Sequence, residues 1–323
     1  MRFSPSTIPS LSTPRSWNRA AHQSSWRVAT LSFEDGQAEA PELAIDGFGT
    51  GYAAAERMEE SNAWRHPVDL VEILEHAFEE LEGAPARGSW AGRGDLVPVL
   101  LGEDAHAIAD GLLAALREGA TADELAGAVS YAAALRIARF PTSNEFGDWD
   151  TALHTFTFAN AVQQGLRRAP SAELVRGVFD AAMSVYLDRF LNVPATRLPE
   201  PNGSGDPGAL LEELPGLLDR QQQVNEAGAL VASYLAAGGE PDALLAALGA
   251  ALLREDRDFH TIQMVEAAFR QYESLRGMPE GGHVLVAAAR YLAAHAPTVR
   301  AEQQTFQIAR RLHRGERLYE DAD

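Results

Sequence analysis

Two His-Thr pairs, His154-Thr155 and His260-Thr261, carry the strongest chemical signal in this chain, because each opens a helical pattern directly after an Asp-x-Asp. The first follows Asp148-Trp149-Asp150 and the second follows Asp256-Arg257-Asp258. A neutral imidazole serves as a metal ligand or a proton carrier near neutral pH. A carboxylate just ahead of it caps the helix by accepting backbone N–H groups, or accepts the free ring N–H and so fixes the tautomer. Both roles remain open for these aspartates, and capping alone suffices to explain them. At 100° per residue His154 shares a stripe with Phe158, Ala161 and Gly165, so its ring faces an interior or a cleft. His260 shares one with Met264, Ala267 and Gln271, while Ile262, Val265, Phe269 and Tyr272 form an opposite apolar seam.

The helices that must position these pairs come in two similar sets. Ile108–Gly119 and Glu124–Arg136 precede His154; Glu226–Gly238 and Asp242–Arg254 precede His260. Leu112 to Leu230 and Arg136 to Arg254 are both offsets of 118. The expected architecture is therefore all-α: a single large helical domain over 61–323, built from two pseudo-symmetric repeats with Leu112 superposing on Leu230. Repeat one spans about 95–195 and repeat two about 209–297, joined by a Pro-Gly-Asn linker at 199–208. If equivalent positions meet at the pseudo-axis, His154 and His260 reach a common point. Against this stand their different stripes and unequal lead-ins, 18 residues from Arg136 to His154 but 6 from Arg254 to His260.

Flanking elements follow from pattern. Pro67 and Asp69 open a helix whose apolar face is Leu70, Ile73, Leu74 and Ala77. A C-terminal helix over 297–314 carries Arg300, Arg310, Arg311 and Arg314, which suit the negative end of a helix and nearby carboxylates. Residues 1–60 are rich in Ser, Pro, Thr and Gly and read as an irregular N-terminal arm, with Trp17, Trp26 and Phe48 as contacts to the body.

Bulk composition excludes more than it selects. With no Cys, disulfides, thiolate catalysis and Cys-held iron-sulfur clusters are impossible. A net charge of −19 argues against nucleic acid and anionic membranes as partners. No apolar run is long enough to cross a membrane and no secretory h-region is present, so a cytoplasmic location is expected. There is no His-Glu-x-x-His, phosphate loop, nucleophile elbow or Ser-His-Asp signature. Glu72, Glu75 and His76 form no diagnostic spacing. His295 ends an apolar helix, where it either caps that helix or reaches a site.

The run from Arg136 to Ala161, with Phe140-Pro-Thr-Ser-Asn-Glu-Phe-Gly-Asp-Trp-Asp150 at its centre, resembles a helical region of bacterial proteins that carry an attached Rieske-type domain. Arg254-Glu-Asp-Arg-Asp-Phe-His-Thr261 and Leu312-His-Arg-Gly-Glu-Arg-Leu-Tyr319 look like further parts of that region, which would then cover about residues 65–319. The layout is also similar to questin-oxidase-like helical proteins, and that similarity implies non-haem iron bound largely through histidine. It implies more histidines near the first repeat as well, where this chain has Pro141, Leu153 and Gln163. The Gly-Ala-Thr-Ala-Asp-Glu-Leu125 phrase resembles alkylhydroperoxidase-like proteins, but their Cys-x-x-Cys chemistry is impossible here.

These readings converge on an expected metal-dependent oxidoreductase or oxygenase acting on a small organic substrate. Iron is the expected metal, with His154, His260 and His295 as its expected ligands and open positions that suit oxygen activation. Glu145, Asp150 and Asp258 are the expected catalytic carboxylates: the two aspartates orient imidazoles, and Glu145 is a ligand or base. Phe146, Trp149, Phe158 and Met264 are expected to shape the substrate pocket. The competing expectation is a non-catalytic helical scaffold or a partner of a redox protein, with the histidines as core residues.

Overall fold

A computed structural model describes residues 68–81 and 90–317; the expected N-terminal arm lies outside them. Every regular element among the described residues is helical, and there is no strand. In chain order they are α1 (Leu70–Leu81), α2 (Arg93–Leu100), α3 (Ala105–Arg117), α4 (Ala122–Ala138), α5 (Phe146–Arg168) and α6 (Ala172–Leu187). A 3₁₀ turn at Asp188–Asn192 leads into α7 (Pro207–Leu218), α8 (Val224–Ala236), α9 (Pro241–Arg254), α10 (Phe259–Ser274), α11 (Pro279–His295) and α12 (Ala301–His313).

The described residues divide into two compact units, one within 68–129 and 161–187 and one within 130–160 and 188–317. In the first, α3 packs against α1, α2 and α6. Asp69 accepts from the N–H groups of Val71 and Glu72 at the start of α1, whose buried face is Leu70, Ile73, Leu74 and Ala77, as the pattern predicts. Thr121 and Glu124 form a reciprocal cap on α4.

In the second unit α11 is the hub, packing against α7, α8, α9 and α10. It is buried without interruption from Val284 to Ala293, Arg290 included. Arg290 is accommodated by its hydrogen bonds: Nη2 donates to the Phe140 carbonyl at 2.6 Å and Nη1 to Asn225 Oδ1 at 2.7 Å. Burial lowers its pKa to about 10 against the opposing charge of Glu226, so it stays cationic. Asn192 closes the end of α4 by donating to the carbonyls of Arg136 and Arg139, and Asn144 donates to the Leu191 carbonyl. The segment leading into α5 is thus pinned to the 3₁₀ turn.

The pseudo-symmetric repeat is not confirmed. α3 and α8, and α4 and α9, do start near the 118-residue offset, yet the compact units do not divide at 199–208. Matched helices also bury different things. α4 is enclosed on every side: each residue from Leu125 to Ala138 is buried, Ser130 and Arg136 included. α9 buries just Leu244, Leu248 and Ala251. A helix apolar all round must be enclosed, whereas a one-faced helix lies at a surface.

Candidate functional site

Three helices of the second unit supply the site. α5 places Asp150 and His154 one turn apart on one face, α10 carries His260 in its first turn, and α11 ends with Tyr291 and His295, again one turn apart. His154 and His260, 106 positions apart in the chain, meet: their ring centres are 5.1 Å apart with planes at 64°. His154 is buried, 8% exposed, and His260 is half-buried.

Asp258 performs both of the roles open to it. Its Oδ1 accepts from the Thr261 N–H at 2.9 Å, and the Thr261 hydroxyl completes a capping box on α10. Its Oδ2 lies 3.2 Å from His260 Nδ1. An anionic carboxylate can only accept, so Nδ1 carries a proton, and in the neutral ring the lone pair is then on Nε2. Burial pulls the Asp258 carboxyl up, but the Thr261 and His260 contacts outweigh it and hold the group below the usual carboxylate range.

Asp150 does not take the expected role toward His154. Its recorded partners are on α11: the Tyr291 hydroxyl donates to Oδ1 at 2.7 Å, and His295 Nε2 stands 3.6 Å from the same oxygen. At 3.6 Å the His295 contact is electrostatic rather than a formed hydrogen bond. Burial raises the Asp150 carboxyl, while His295, Tyr291 and the charge that His260 carries when protonated more than offset it, leaving the group below its ordinary value. Burial and the adjacent Asp150 push the Tyr291 hydroxyl up, so it remains a donor. His295 is tied within its own helix, Nδ1 donating to the Tyr291 carbonyl at 2.8 Å. Its ring stacks on Tyr291 at 4.1 Å and meets the edge of Phe146 at 4.3 Å.

Beside this cluster is a cleft of about 100 Å³ whose walls include Phe146, Leu252, Asp258, Thr261, His295 and Thr298. Of the four expected pocket residues, Phe146 lies on its wall, 57% exposed. Trp149, Phe158 and Met264 are core residues instead, and Trp149 packs on Phe140 at 4.8 Å. Their apolar bulk made them as suitable for a core as for a pocket. Glu145 stands exposed ahead of α5, where its N–H donates to Asp148 Oδ2. Asp256 caps α12, accepting from the N–H groups of Ala301 and Glu302.

Sequence reasoning missed three contributors. Tyr291 is signalled by its i−4 spacing from His295. Asn160 accepts from Gln271 Nε2 at 2.9 Å, a buried pair further along α5 and α10. Gln263, one turn after His260, is 6% exposed and neither atom of its amide has a hydrogen-bond partner among the described residues. Among those residues, no group of three or more His, Asp or Glu side chains is arranged to hold a metal ion. Among them also, no helix is long and apolar enough to cross a membrane. No protein-family model, curated protein or solved structure matches the chain.

Proposed function

We propose that the second unit carries a histidine-centred site acting on a small organic molecule, with His154 and His260 as its working pair. The observation that carries this reading is their 5.1 Å ring separation. Two imidazoles sharing one ion at about 2.1 Å each have ring centres roughly 4.6–5.3 Å apart for angles near 90–110°. The finer reading is that the pair ligates one iron ion in an oxidoreductase or oxygenase, in line with the resemblance to Rieske-associated and questin-oxidase-like helical proteins. The ion, when bound, supplies oxygen activation. Asp258 fixes the His260 tautomer so that Nε2 is the available donor. Asp150, one helical turn from His154, provides a carboxylate fixed by the Tyr291 hydroxyl.

A second, metal-free reading is favoured by the lack of a three-donor group among the described residues. In it His260, oriented by Asp258, exchanges a proton with a substrate, and a redox-partner scaffold is the remaining alternative. Elemental analysis of the purified protein, with His154→Ala and His260→Ala alongside, separates these. Near-stoichiometric iron lost in both variants supports the metal site. Iron retained in both sinks it. Wild type that stays metal-free after incubation with ferrous iron leaves the acid–base reading.

A further inference from the structure

His295 stands on the wall of the cleft beside the histidine pair, with its side chain 6% exposed. Its Nδ1 meets the Tyr291 carbonyl. A carbonyl only accepts, so Nδ1 carries a proton, and in the neutral ring the lone pair is on Nε2. That Nε2 is buried and has no hydrogen-bond partner among the described residues. Facing it at 3.6 Å is Asp150 Oδ1, which accepts from the Tyr291 hydroxyl. Two acceptors therefore oppose each other, and neither can satisfy the other. A group with several N–H donors can bond both, and meeting a buried acceptor is worth more than an ordinary hydrogen bond.

The charge around the cleft is left with one sign. Arg257 is paired with Glu302, and Glu255 and Asp219 are matched by Arg254 and Arg300. Asp256 and Asp258 accept from N–H groups at the starts of α12 and α10. Each helix start offsets about half a unit charge, so these two carboxylates leave roughly one negative charge, and Asp150 adds another. The N–H groups of Glu302 and Ala301 hold Asp256 below the usual carboxylate range, where Asp150 and Asp258 also lie, so all three are anionic at neutral pH. Leu252, Leu292 and the 57% exposed Phe146 make the rest of the wall apolar. On the reading that this site takes a small organic molecule, we infer that the molecule is a primary amine bound as its ammonium ion, donating to Asp150 and His295 with a short apolar body against Phe146, Leu252 and Leu292. The phenyl ring adds cation–π attraction. A carboxylate ligand would meet its own sign of charge, and a bare metal cation would leave the apolar wall unused. Size sets the body: a cavity of about 150 Å³ holds benzene, so a cleft of about 100 Å³ suits roughly four carbons.

The test is isothermal titration calorimetry of the full chain, treated with chelator, against butylammonium, 1-butanol and butyrate at neutral pH. Butylammonium is expected to saturate the protein and to bind at least tenfold more tightly than either control. Asp150→Asn, which keeps an acceptor for Tyr291 and removes the charge, is expected to abolish that preference. Phe146→Ala, at an exposed position that folding does not need, is expected to weaken the amine several-fold, with an unchanged far-UV circular dichroism spectrum. Equal affinity for the three probes, no binding of butylammonium, or a preference that survives Asp150→Asn overturns the inference. Displacement of butylammonium by an equal concentration of sodium overturns it in favour of an inorganic cation. A nitrogen NMR signal showing both His295 ring nitrogens protonated in the unliganded chain also overturns it, because the ring then supplies the donor. Amine preference in a chain that takes up no iron sinks the metal reading and leaves this inference standing, whereas iron uptake without amine preference does the reverse.

Discussion

Gln263 shows how much a single buried polar side chain can say. Its amide is out of water and neither polar atom has a partner among the described residues, an arrangement that costs about 1–3 kcal/mol. If that cost is uncompensated, Gln263→Met, which keeps the length and removes the polarity, will stabilise the fold by about 1 kcal/mol. Urea denaturation of the two proteins measures this. A loss of stability instead would mean that the amide has a water or a small molecule as its partner, one turn from His260. Asp258 is the opposite case, with one oxygen committed to the helix cap and the other to His260.

At the scale of elements, the second unit depends on how closely α8 and α11 approach. A Cβ at Gly228 would meet Arg290 Cγ at 3.0 Å and Cδ at 3.2 Å, and that arginine is held at its far end by Phe140 and Asn225. Helix propensity favours alanine over glycine by about 1 kcal/mol, but overpacking a fixed neighbour costs about 1–3 kcal/mol. The clash wins: Gly228→Ala is expected to destabilise. Gly249→Ala in α9 is the control, because its Cβ would meet Phe269 at an ordinary 3.9 Å, leaving propensity to stabilise. Thermal melts of both variants check the pair of signs, and equal shifts would refute the packing argument.

Across the whole molecule, Glu255 ties together segments far apart in the chain. It accepts from Arg254, from the N–H and hydroxyl of Thr298, and from Arg300, which also bonds Asp219. Burial pulls its carboxyl up, but the Arg300 and Thr298 bonds more than offset this and hold it below the usual value. A depressed folded pKa means that the contribution is full above the unfolded carboxylate range. It is lost as pH falls through the folded value. Glu255→Gln should therefore be less stable at neutral pH and show a shallower loss on acidification, read as urea midpoints from about pH 7 to pH 3. Parallel acid limbs would rule out this linkage. The network also roots α12, so the same variant should loosen that helix.

Helicity was legible in the sequence because it is written locally. The Ala-Leu composition, Asp69 and Asp258 at helix starts, and the face Leu70-Ile73-Leu74-Ala77 need nothing beyond neighbours three or four residues away. The inward position of His154 was readable by the same periodicity, and the absence of Cys removed whole chemistries outright. What periodicity cannot specify is which faces meet. That His154 and His260 touch across unequal lead-ins, that Asp150 turns to Tyr291 and His295, and that Trp149, Phe158 and Met264 fill the core were decided by packing. Several apolar and polar side chains compete for each interface, and the winning pairing is the one that encloses α11 and satisfies Arg290 together. The two repeats read alike along the chain, but a helix enclosed on all sides and one left at a surface answer to different neighbours. The tertiary structure, not the offset of 118, set their environments.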